Sequence, residues 1–180
     1  AVTYSAEGNA DYHAEFIKMN ATGCSYMLVN EREKTACRVD MNMTGLYNVQ
    51  NSLCAIAMVT ALGFDMTECA KALSDLDGVD GRMNVVYRGD FTVITDYAHT
   101  DDALIKVLST LKPLTKGRLI CVFGAAGDRD KEKRPMMAKA AEDNADILVI
   151  TSDNPAHENP DEIIREVMTG ISGKKPCRCI

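Results

Sequence analysis

The sequence predicts an α/β fold: a Rossmann-like parallel sheet with flanking helices, preceded by a strand and helix segment of different character. Three observations lead there. Beyond Arg82, short apolar runs alternate with stretches of helical period. Those runs are apolar at successive positions, as strands covered on both faces are. Before them the chain reads instead as short strands followed by two consecutive helices, so the two parts differ in kind.

In chain order, Tyr26–Val29 is a compact apolar run and Thr35–Met41 alternates, both features of strands. From Asn51 to Leu62 the residues Leu53, Ile56, Ala57 and Thr60, with Cys54, Ala55 and Met58, fill nearly every face, which describes a buried helix ending at Gly63. A second helix follows, with Thr67 as its cap and Cys69, Ala70, Leu73 and Leu76 as its apolar stripe. Asp77–Gly81 is dense in turn residues, and a domain boundary is placed there, giving 1–80 and 81–180. The second part then runs as strand 91–95, helix 101–111, strand 118–123, helix 135–143, strand 147–151 and helix 160–169, with a further strand expected from Lys175. Pro113 forbids continuation of the first of these helices, while Pro135 and Pro160 suit first turns, where an amide hydrogen has no partner.

Composition narrows the class. The 180 residues carry 26 acidic and 20 basic side chains, for a formal net charge of −6, and 46% are hydrophobic. This is the balance of an ordinary soluble protein of one domain or two small ones. An acidic surplus argues against a nucleic-acid binder, which needs Lys and Arg facing phosphates. The longest apolar stretch, around Leu119–Phe123, falls far short of the roughly 18–20 residues a membrane span requires. Ala1–Glu7 lacks the basic and apolar regions of a secretory signal, and the absence of an initial Met suggests a chain that starts mid-protein. Of seven cysteines, without a CxxC pair, most read as small buried hydrophobes in a reducing cytoplasm; Cys177-Arg178-Cys179 alone suggests metal or redox chemistry, against the plainer reading of a strand.

In an open parallel sheet, ligands bind beyond the carboxyl ends of the strands. Three polar loops lie there: Asp96–Asp102, Gly124–Asp130 and Ser152–His157. Each alone is an ordinary cap or turn; three in register point to a site. Gly124-x-x-Gly127 lets the backbone approach an anion, yet no G-x-G-x-x-G is present, and Asp128 and Asp130 would repel a pyrophosphate. Arg129 offers a planar fork suited to a carboxylate, against the plainer reading of a surface salt bridge within Asp128–Arg134. His99 is read as a nucleotide-side contact rather than a general base. No G-x-x-x-x-G-K-[ST] phosphate loop exists in the chain, so no ATP hydrolysis is expected of it in isolation.

The succession Asn48-Val49-Gln50-Asn51 with Ala55-Ile56-Ala57, Gly81-Arg82-Met83, Asp96-Tyr97-Ala98-His99-Thr100, Gly127-Asp128-Arg129-Asp130-Lys131 with Lys133-Arg134-Pro135, and Thr151-Ser152-Asp153-Asn154-Pro155 resembles the Mur ligases. Within them it resembles the branch that adds the third residue of the peptidoglycan stem peptide. The resemblance implies ATP-dependent amide formation through an acyl phosphate, with ATP and Mg²⁺ as cofactors and UDP-N-acetylmuramoyl-dipeptide and a diamino acid as partners. It further implies the end of a central ATPase domain over 1–80 and most of a C-terminal ligase domain over 81–180, with the phosphate loop and the Mg²⁺ ligands upstream. Carried over by motif, Asn48 resembles the adenine contact, Arg82 the phosphate contact and Asp96 the ribose contact, with His99 beside them as part of the ATP site. Arg129, Asp153 and Asn154 resemble the pocket for the incoming amino acid. The fourth position of the Asp-Asn-Pro motif is Ala156, where members that take meso-diaminopimelate carry Arg, and this favours L-lysine or another diamino acid without a second carboxylate. Two other readings share these features: a noncatalytic nucleotide- or amino-acid-binding module, and a folylpolyglutamate-type ligase, against which Asp153-Asn154-Pro155 argues.

Overall fold

The computed structural model describes residues 1–180, which divide into two compact units, Ala1–Asp96 and Tyr97–Ile180. The division falls later than the turn-rich segment Asp77–Gly81.

The first unit opens with a four-stranded sheet in the order β1 (Tyr4–Ser5), β2 (Tyr12–Asn20), β3 (Gly23–Asn30) and β4 (Thr35–Met41), with β1 parallel to β2 and the others antiparallel. Strict alternation decides which face is covered: Cys24, Tyr26, Leu28 and Asn30 on β3 are buried, while their neighbours are only partly so. That face packs with α1 (Leu46–Ala61) and α2 (Met66–Ser74) through Val49, Leu53, Ile56, Met66 and Ala70. The Tyr26 hydroxyl lies 2.7 Å from Ser52 Oγ, which anchors the sheet to α1 through a paired polar contact. Contrary to the all-round burial expected of it, α1 exposes Met58 and ends beside exposed Leu62. Its apolar residues are more numerous than this sheet face covers.

The cap of α2 is Asp65 rather than Thr67. Its carboxylate accepts from Thr67 N at 2.8 Å and Glu68 N at 3.0 Å, satisfying two amides that a helix start leaves open.

The expected strand 91–95 forms as β6 (Thr92–Thr95), but it does not join the parallel sheet. It pairs antiparallel with β5 (Asn84–Arg88), an element the periodicity missed. The turn at Gly89 and Asp90 closes the hairpin, and the Tyr87 and Phe91 rings meet across it at 4.8 Å.

In the second unit, β7 (Ile120–Phe123), β8 (Ile147–Ile150) and β9 (Cys177–Cys179) form a parallel sheet with β8 in the centre. The helices are α3 (Asp101–Leu111), α4 (Lys133–Asn144) and α5 (Pro160–Met168). Thr100 caps α3 through Ala103 N, and Asn159 caps α5 with Pro160 in its first turn. α4 begins ahead of Pro135, at Lys133. Cys121, Phe123, Leu148 and Ile150 face one way, into a core with Leu104, Leu108, Met137, Ala138, Ala141, Ile163 and Val167. The opposite face is bare at Ile120 and Val122, the latter 61% exposed, so within this unit the sheet is covered on one side and not on both.

A buried acid finishes the unit. Glu142, 2% exposed, accepts from Ser172 N and Oγ and from the amides of Gly173 and Lys174 at 2.7–3.0 Å. These bonds hold its carboxyl down at about 2 and fix the turn that feeds β9. No helix is long and apolar enough to cross a membrane.

Candidate functional site

The motif residues fall into two groups, one in each unit. In the first unit they gather around the start of α1. Gly45 precedes the helix at φ 104°, and a Cβ there would lie 2.8 Å from the Tyr47 ring, so both the backbone angle and the space require glycine. Asn48 is buried one residue beyond Tyr47, and its Nδ2 donates to Thr44 O at 2.8 Å. Thr44 Oγ1 and the Tyr47 hydroxyl are buried with no protein partner. Burial and then the Asp96 carboxylate push the Tyr47 phenol up to about 12, with Arg82 opposing them. Asp96 Oδ2 also accepts from the amide of buried Met83 at 2.9 Å, at the tight turn where Arg82 N donates to Val79 O. Asn48, Arg82 and Asp96 are thus in one polar neighbourhood, and Tyr47 and Thr44 belong to it as well. Periodicity hides the last two, because an aromatic and a Thr at a helix start read as packing and capping.

In the second unit His99 is exposed beside the cap of α3. Its Nδ1 is 2.8 Å from Tyr97 O, and since a carbonyl only accepts, Nδ1 is the donor.

Arg129 and Asp153–Ala156 occupy two loops, after β7 and after β8, which are bonded together. Gly127 N donates to Asn154 O at 2.8 Å. A Cβ on Gly127 would lie 1.8 Å from Pro155 O, and one on Gly124 would lie 2.5 Å from Thr151 O. The two glycines therefore serve close approach to the chain's own backbone. Arg129 is exposed and makes no ion pair, so the surface salt bridge weighed against it is not formed. The cations of that run which do pair are Arg134, bound to Glu158 and Glu166, and Lys131, 2.9 Å from Glu158. Asp153 is exposed. Asn154 Oδ1 accepts from Ala156 N at 3.1 Å, and Ala156 sits at φ 48°. Asp128, also left-handed at φ 54°, lies 2.6 Å from His157 Nδ1 and raises that imidazole's pKa.

Residues 81–179 match the family description "Mur ligase, glutamate ligase domain", and residues 1–59 match "Mur ligase middle domain". The chain belongs to the Mur ligase family. Among curated Mur ligases it is 44% identical over 173 residues to the UDP-N-acetylmuramoyl-L-alanyl-D-glutamate--2,6-diaminopimelate ligase of Bacillus licheniformis, covering 96% of this chain and 35% of that protein. It is 40% identical over 173 residues to the ligase of the same name from Clostridium botulinum, covering 94% and 35%. A solved structure with that enzyme name is 36% identical and superposes with a TM-score of 0.66 over 99% of this chain and 37% of its own. The chain spans about a third of the length of the curated relatives it matches.

As a Mur ligase segment, the chain joins a middle-domain match to a C-terminal one, and the loop pair carrying Arg129 and Asn154 lies wholly in the latter. No group of three His, Cys, Asp or Glu side chains is placed to hold a metal ion. Two features of this Mur ligase escaped the sequence: the buried Arg134–Glu158 pair and the Asp128–His157 contact. The available signal was Glu158 standing just ahead of the Asn159 cap, with a basic residue in the first turn of α4.

Proposed function

We propose that this chain is part of an ATP-dependent ligase that adds the third stem-peptide amino acid to UDP-N-acetylmuramoyl-L-alanyl-D-glutamate. Residues 1–80 supply the end of the ATPase domain and residues 81–180 most of the ligase domain. The observation that supports the reading is the hydrogen bond from Gly127 N to Asn154 O, which joins the loop carrying Arg129 to the loop carrying Asp153, Asn154 and Ala156, in a chain 40–44% identical to enzymes of that name.

The chemistry is positional. The Asn48 side-chain oxygen accepts from an adenine amino group, Arg82 meets phosphate and Asp96 accepts from ribose hydroxyls. His99 adds a further contact on the nucleotide side. Arg129 pairs with the α-carboxylate of the incoming amino acid, and Asp153 and Asn154 hold its ammonium groups. When bound, ATP would give up its γ-phosphoryl group to the acceptor carboxylate, forming an acyl phosphate and ADP, and the substrate amine, once deprotonated, would displace inorganic phosphate; Mg²⁺, held by residues outside this set, would neutralise phosphate charge. What these side chains contribute is orientation and charge complementarity.

Ala156 has no cation for a second carboxylate, which favours L-lysine over meso-diaminopimelate, the amino acid in the names of the relatives. In the full-length enzyme, kcat/KM for lysine is expected to exceed that for diaminopimelate, and Ala156→Arg to shift the ratio toward diaminopimelate by about tenfold or more. An unchanged ratio would remove Ala156 from the specificity argument, and failure to ligate either amino acid would remove the function.

A further inference from the structure

Glu158 stands two residues past Ala156, on the loop after β8, yet its carboxylate reaches back to the segment around Arg129. Its Oε1 accepts from Asp128 N at 2.7 Å and from Arg134 Nη2 at 2.7 Å. Its Oε2 accepts from Arg134 Nη1 and Lys131 Nζ, both at 2.9 Å. Asp128 directly precedes Arg129, and Lys131 follows it closely. Arg134 is 1% exposed; its Nη2 also donates to Ala126 O and its Nη1 to Glu166, while the buried Nε has no partner. A guanidinium removed from water to this extent is stable only against its carboxylates, and the two-pronged geometry fixes angle as well as distance.

We infer that Glu158 and Arg134 are positioning residues for the amino-acid substrate, setting Arg129 on the first loop at a fixed offset from Asp153, Asn154 and Ala156 on the second. The inference rests on the proposed reading of those four residues as the amino-acid pocket. Neither residue touches the reacting atoms. Each acts by holding a recognition group where a small displacement is costly. Loosening the pair affects the amino acid selectively, because the proposed nucleotide contacts Asn48, Arg82 and Asp96 belong to the first unit, and His99, though in the second, is tied to Tyr97 O rather than to the loops that Arg134 and Glu158 hold.

The test is steady-state kinetics on the full-length ligase carrying this sequence, with the amino acid, ATP and UDP-linked acceptor each varied in turn. Glu158→Gln keeps the shape and removes the charge, and Arg134→Lys keeps the charge and removes the fork. Both are expected to raise the amino-acid KM about tenfold, while the KM for ATP stays within about twofold and kcat at saturating amino acid within about threefold. Folded variants with unchanged amino-acid KM, or with all three KM values raised alike, would overturn the inference. Should either variant fail to fold, Lys131→Met withdraws one exposed donor and leaves the fork intact. It is then expected to raise the amino-acid KM about two- to threefold, and no rise would overturn the inference just as surely. A wild-type enzyme that ligates no diamino acid would instead bring down the underlying function, an outcome distinct from a selective loss in the variants.

Discussion

Gly127 and Asn154 meet backbone to backbone, amide to carbonyl at 2.8 Å, and so merge the loops after β7 and β8 into one cradle. No side chain fits between them.

The first expectation follows from that contact. Gly127→Ala would set a Cβ 1.8 Å from Pro155 O, and backbone cannot swing aside as a flexible side chain can. Overpacking of this kind costs about 1–3 kcal/mol or more. Denaturant unfolding should show a clear loss, whereas Gly117→Ala, where nothing lies within 4 Å, should leave the midpoint unchanged or slightly raised.

Glu142 gives an acid-side dependence. Its folded-state pKa, about 2, is below the ordinary value of 4.5, so its contribution to stability is present in full above 4.5 and is lost as pH falls toward 2. Glu142→Gln turns an amide NH₂ toward backbone donors and should lower Tm at pH 7. Thermal melts of both forms should converge as the pH is taken down through that window; a gap that stays constant would refute the assignment.

His157 gives the opposite sign. Its hydrogen bond to Asp128 raises the folded-state pKa above 6.5, so the contribution is complete below 6.5 and fades as pH rises through the raised value. An NMR titration of the imidazole should show this elevation, and Asp128→Asn should return the midpoint toward 6.5.

Asp65→Ala should cost about 1 kcal/mol by denaturant unfolding, since the two amides it caps at the start of α2 lose their acceptor. Thr67→Ala should cost less, because its hydroxyl is not the cap.

Much of this architecture is written in short-range patterns. The helix Asp101–Leu111 is found as read, because a Thr100 cap, a leucine stripe and Pro113 all act within a few positions of one another. The strands at Ile120–Phe123 and Ile147–Ile150 are legible for the same reason. β5 was overlooked although Val85, Val86 and Tyr87 precede a Gly-Asp turn, a hairpin pattern eclipsed by the expectation of alternating strand and helix. The Arg134–Glu158 pair spans 24 positions, and no local period marks such a bond. The polar neighbourhood of Asn48 was reached through motif resemblance, but Tyr47 needed the fold, since only burial beside Asp96 distinguishes its hydroxyl from an ordinary one.

The left-handed backbone at Ala156 constrains how a lineage could exchange one diamino acid for another. Any residue with a Cβ bears about 1–2 kcal/mol in that conformation, and alanine bears it already. Arginine would add nothing to that cost, whereas valine, isoleucine and threonine would, so the backbone admits a direct step between a neutral and a cationic residue here while it penalises the β-branched residues.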